Sequence, residues 1–114
     1  EEAGAAYSSL DVARRFLKNN GVPAKDIRTL NPQRKDPLSL PTMHAAVSFL
    51  ACGFHFPVDT YIPFFTQKVK PGGRVIVDLR ARRAAPQVAA LEKLGQLQTL
   101  PGPPKTRRVM LERV

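Results

Sequence analysis

Among the side chains able to do chemistry, His55 stands out by position. It lies in Gly53-Phe54-His55-Phe56-Pro57, directly after the apolar segment Ala45–Ala51. If that segment is a strand of an open parallel sheet, His55 sits at the carboxyl edge, where such sheets hold their ligands. An imidazole there titrates in the range that suits a general base. The competing role is structural: a histidine that ties down the loop by hydrogen bonds between its two phenylalanines. Asp78 closes the run Val75-Ile76-Val77 and is open to two roles, a site residue or a partner for Arg80 or a backbone amide. Cys52, with mostly apolar neighbours, is a small core residue rather than a nucleophile. Two histidines, His44 and His55, and one cysteine do not make a zinc spacing,. No G-x-S-x-G, Walker or G-x-G-x-x-G pattern occurs,.

The charge offers a second chemistry. The 114 residues carry a net charge of +9. A balance of that size favours nucleic acid or other anionic surfaces. Arg80, Arg82 and Arg83 form one group and Lys105, Arg107 and Arg108 another, and only the first follows an expected strand end. A stand-alone RNA-binding domain is disfavoured, because no aromatic strand of the RNP type is present. A single cysteine rules out an internal disulfide framework and fits a reducing compartment. No apolar run reaches the length of a membrane span, and Glu1-Glu2-Ala3-Gly4 lacks the basic start of a secretory signal,. The expectation is a soluble, cytoplasmic chain forming one domain over 1–114, or the C-terminal part of one.

The elements that must position these residues follow from local signals. Ser9 to Asn20 is expected to be helical, capped by Ser9 and ended by Gly21 and Pro23,. Ile27–Leu30 is expected as a short strand, and Asn31–Thr42, with three prolines, as a loop. Ala45–Ala51, small and apolar on both faces, suits a central strand covered on both sides. A helix follows over Tyr61–Val69, with Pro63 confined to its first turn. Pro71-Gly72-Gly73 turns the chain into the strand Arg74–Leu79. Pro86 and Gly95 frame a helix over Pro86–Leu94, and Gln96–Leu100 and Arg107–Val114 read as an antiparallel pair. Alternation of this kind gives an α/β layered fold.

Leu50–Arg80 resembles the second half of a Rossmann-like S-adenosylmethionine-dependent methyltransferase. It is especially similar to sugar and small-molecule O-methyltransferases. The resemblance is carried by Gly53, Phe54, His55, Phe56 and Pro57, then by Lys70, Pro71, Gly72, Gly73 and the strand Val75 to Asp78. Val12–Pro32 is similar to the helix and strand that precede these in the family. It implies methyl transfer to a hydroxyl of a small molecule or sugar, with His55 as base. It further implies S-adenosylmethionine near Asn31, Cys52 and Gly53, and a substrate pocket shaped by Phe54, Phe56 and Asp78. The family's cofactor-binding glycine loop has no counterpart in this sequence, nor does the acidic residue that holds the ribose.

In that family the first two strands lie between the third and the fourth. With Ile27–Leu30 as third and Ala45–Ala51 as fourth, the ladder is expected to be interrupted by two strand widths, about 9–10 Å. Each buried unpaired backbone group costs about 1–3 kcal/mol, against a total stability of about 5–15 kcal/mol. The resemblance therefore implies an N-terminal half or partner chain that completes the sheet, or direct re-pairing of the strands. The alternative function is a non-catalytic methyltransferase-like module. It would bind a protein or nucleic acid through Arg80, Arg82, Arg83, Lys105, Arg107 and Arg108.

Overall fold

The computed structural model describes residues 9–49, 52–54 and 56–114. The chain divides into two compact units, 1–39 and 40–114.

In the first unit, helix α1 spans Leu10–Asn19, and the Oγ of Ser9 accepts from the backbone N–H of Val12 at 3.2 Å. This is the cap that the sequence foretells, satisfying one of the donors a helix start leaves unpaired. Gly21 follows with a positive φ of 96° and ends the helix,. Apolar residues gather along one side of α1, yet Val12, Phe16 and Leu17 are exposed. The expected strand Ile27–Leu30 does not form. Ala24–Asp26 makes a single 3-10 turn, the N–H of Ile27 bonds back to Ala24, and residues 27–30 pair with no strand among the described residues. Four residues of extended propensity become a strand only when a neighbour completes the ladder, which is a non-local condition.

The second unit is a four-stranded mixed sheet. Its strands are β1 (Met43–Ser48), β2 (Val69–Arg80), β3 (Gly95–Leu100) and β4 (Thr106–Arg113). The order across the sheet is β1-β2-β4-β3. β1 runs parallel to β2, while β4 is antiparallel to both β2 and β3. The last pair matches the expected antiparallel strands. Between the pairs Met43–Val69 and Ala45–Arg74, β2 loops out through Pro71-Gly72-Gly73, with Gly72 at a φ of 83° that side chains avoid,.

Helix α2 (Ile62–Lys68) follows a 3-10 turn over Val58–Tyr61, and helix α3 (Ala84–Glu92) follows another over Ala81–Arg83. Pro63 and Pro86 both fall in first turns, where a missing N–H costs nothing,. Both helices pack on one face of the sheet. That face presents Val75, Val77 and Leu79 from β2 and Val109 and Leu111 from β4, in register and fully buried with Phe65 and Leu91. Burial of one such side chain stabilises by about 1.5–3 kcal/mol.

Two expectations change here. Ala45–Ala51 was expected to be a central strand covered on both sides; β1 instead pairs only with β2 among the described residues and stands at the edge. Its small residues do not mark double coverage: Ala46 packs against the core while Val47 is 56% exposed. The described ladder is also continuous from β1 to β3, so its unpaired side is an outer edge and not an internal gap.

Candidate functional site

Because β1 and β2 are parallel, their carboxyl ends lie at the same end of the sheet. The chain leaving β1 turns sharply there. Cys52 and Phe56 form an isolated parallel bridge, and the N–H of Gly53 donates to the carbonyl of Phe56. Gly53 has a φ of 84°, and a Cβ there would lie 2.5 Å from Cδ2 of Leu79. Only glycine lets the turn approach β2 this closely. Its carbonyl accepts twice, from the N–H of Arg80 at 3.0 Å and from Nε2 of Gln87 at 3.3 Å. Gln87, only 9% exposed, also accepts from the N–H of Val58 through Oε1 at 2.9 Å. One buried amide thus ties the turn to α3.

The other side of the site comes from the loop between β3 and β4. The carbonyl of Lys105 accepts from the N–H of Ala81 at 3.0 Å, and Lys105 itself takes a φ of 63°. It is the one non-glycine residue with positive φ among those described. Two depressions open at this end. The first, about 410 Å³, is lined by Gly53, Phe54, Phe56, Arg82, Arg83 and Gln87, with Pro57, Asp59 and Pro86. The second, about 580 Å³, is lined by Phe54, Arg80, Ala81, Arg82, Pro104 and Lys105. Both fall in the size range of small-molecule sites. The guanidinium of Arg80 stacks over the ring of Phe54, 4.3 Å from its centre.

The structure brings some expected site residues together and separates others. Gly53, Phe54 and Phe56 meet at the first depression. His55 lies outside the described residues. Cys52 is fully buried, and burial pushes its thiol up to about 12, so it stays protonated at neutral pH and is no nucleophile,. Asp78 is buried beneath Arg108, whose Nε and Nη2 donate to Oδ1 at 2.7 Å and Oδ2 at 2.9 Å. Its partner is therefore Arg108 and not Arg80, and that hydrogen bond raises the arginine pKa further. Arg108 also stacks on Phe49, 4.8 Å from its ring centre. Asn31 belongs to the first unit, where Oδ1 accepts from the N–H of Gln33 at 2.9 Å and closes a local turn.

The six expected cationic contacts also divide. Arg80, Arg82, Arg83 and Lys105 are at the carboxyl end of β2, and none pairs with a carboxylate among the described residues. Arg108 is engaged by Asp78, and Nη2 of Arg107 reaches Oγ1 of Thr99 at 3.4 Å. Sequence reasoning missed Gln87. Its signal was available: a glutamine on the helical stripe shared by Ala84, Val88 and Leu91 is a polar group turned toward the core,. No cluster of His, Cys, Asp and Glu among the described residues can hold a metal, and no helix among them is long and apolar enough to cross a membrane.

The residues expected at a nucleoside do not fit one on their own. Asn31 is spent on its own turn, Cys52 is sealed in the core, and the open side of Gly53 is filled by Leu79. Comparison of the chain with known protein families, with curated proteins and with solved structures gives no match in any of the three.

Proposed function

We propose that residues 40–114 are the acceptor-side half of a methyltransferase-like sheet, working on a hydroxyl of a small molecule or sugar. The observation that carries this reading is the outer edge of β1. β1 runs parallel to β2, its one partner among the described residues, and its other backbone edge is unpaired among them, so a further strand can add there,. Val47 of β1 is 56% exposed, and Phe49, just beyond the strand, is 49% exposed. Strands carrying the cofactor loop would pair along this edge, either from the same protein or from a partner chain, and S-adenosylmethionine would be held by them. This half contributes the acceptor pocket at the carboxyl ends of β1 and β2. There Phe54 and Phe56 give apolar walls, the buried Gln87 fixes the turn, and His55 falls between the two phenylalanines in sequence as the candidate base. Alignment of the acceptor oxygen and removal of its proton are the two tasks such a pocket has to perform.

Calorimetric titration of S-adenosylmethionine tests the division of labour. The 114 residues alone should bind it weakly or not at all. An added N-terminal fragment bearing the glycine-loop strands should restore stoichiometric binding. Tight binding by the chain alone would overturn the reading, and so would a failure to bind after the fragment is added.

A further inference from the structure

We propose that the two depressions at the carboxyl end of β2 form one site for a phosphate monoester of a small ring-bearing molecule. The phosphate would sit among Arg80, Arg82 and Lys105, and the ring in the neighbouring depression against Phe54 and Phe56. The proposal rests on the acceptor-pocket reading for its reaction, but the binding is measured without any methyl donor.

Three observations carry it. First, the depressions share Phe54 and Arg82, so one ligand can span both. The second has Arg80, Arg82 and Lys105 in its lining and no acidic residue, whereas the first sets Asp59 against Arg82 and Arg83 and adds Phe56 beside Phe54. The excess of positive charge is therefore greater in the second, and the first offers two aromatic rings where the second offers one. Second, the guanidinium carbon of Arg80 lies over the Phe54 ring, 4.3 Å from its centre, a contact that restrains the head group and uses none of its N–H donors on a carboxylate,. A planar fork of donors is the geometry that phosphate oxygens match.

Third, Lys105 holds a left-handed backbone that costs a lysine and would cost a glycine nothing,. The loop before it is Pro101-Gly102-Pro103-Pro104, so the chain spends its glycine at 102 and a lysine at the strained position. What lysine adds there is a charge beside Arg82. The shape favours a compact anion over a nucleic-acid strand. A polyanion is tracked by a line of free cations, but the line along β4 is broken at Arg108, which is bound to Asp78.

The experiment follows backbone amide NMR shifts of the whole chain at low salt, with phenyl phosphate, phenol, inorganic phosphate and a short single-stranded oligonucleotide as probes. Phenyl phosphate should bind about tenfold or more tighter than phenol. Its shifts should centre on residues 53–56, 80–83 and 105. Arg82→Gln and Lys105→Gly should each weaken it by about tenfold, and Lys105→Gly should leave the melting temperature equal or higher. That combination separates a binding role from a structural one. Equal binding of phenol and phenyl phosphate, or unchanged binding by Lys105→Gly, overturns the anion subsite. Inorganic phosphate binding as tightly as phenyl phosphate removes the ring half. An oligonucleotide that binds far more tightly than phenyl phosphate, with steep salt dependence, replaces the proposal with a nucleic-acid surface. None of these results depends on methyl-donor binding, so the two readings fail separately.

Discussion

On one face of the sheet Val75, Val77, Leu79, Val109 and Leu111 lie fully buried beneath two helices. On the other, Val47 and Phe49 stand about half exposed, and the one deeply buried side chain of β2 is Asp78, held by Arg108. Both faces come from the same strands, since neighbouring residues of a strand point opposite ways. The difference lies in alternation: Arg74-Val75-Ile76-Val77-Asp78-Leu79-Arg80 puts apolar side chains at every odd position and charges at all even ones except Ile76. A parallel strand covered on both sides is apolar throughout. β2 is therefore built for one finished core and one face that keeps charge.

The strongest way to break this comparison is at the covered face. Leu91→Ala should cost about 2–5 kcal/mol in denaturant unfolding, because a fully enclosed leucine leaves a cavity,. Next comes the turn that joins the faces at the site. Gly53→Ala should cost about 1–3 kcal/mol for its left-handed backbone, with more added where the new methyl meets Leu79. Gln87→Met should lose about 1–3 kcal/mol by leaving the N–H of Val58 buried without an acceptor,. The same variant should broaden the amide signals of residues 53–58, which a purely helical defect would not.

Alkaline pH sharpens the comparison through Cys52. Burial raises its pKa from 9.0 to about 12, so the folded thiol stays protonated where the unfolded one ionises. The stabilisation is complete below pH 9 and is lost as pH rises toward 12, at up to about 1.4 kcal/mol per pH unit,. Urea midpoints should fall as pH rises above 9, and Cys52→Ala should flatten that fall,. The smallest effect belongs to the open face: Val47→Ala should stay within about 0.5 kcal/mol,. A cost as large as that of Leu91→Ala would mean that the edge strand is covered in solution.

Much of the secondary structure was legible in the sequence. Ser9 announced α1, the prolines fixed the first turns of α2 and α3, and the Val75-Ile76-Val77 run and the two C-terminal strands fell where expected. What failed depended on partners distant in the chain. Residues 27–30 have strand propensity but pair with no strand among the described residues, and Ala45–Ala51 read as central because small side chains do not say how many layers cover them. The Asp78–Arg108 pair joins residues 30 apart, a match made by β2–β4 register and not by any local signal. The candidate site was half legible: Gly53, Phe54 and Phe56 were named in advance, while the bracing by Gln87 and the left-handed Lys105 emerged only from the folded chain.

β4 lies inside the sheet, between β2 and β3, although it follows β3 in sequence. Shortening this domain from its C-terminal side therefore does not trim a margin. Removal of residues 106–113 would strip β2 of one neighbour and β3 of the one it has among the described residues, and would free Lys105 from the strand that anchors it. Proteolytic nicking at 101–105 followed by loss of the released peptide should behave as a single all-or-none collapse of the unit, with no stable shortened form.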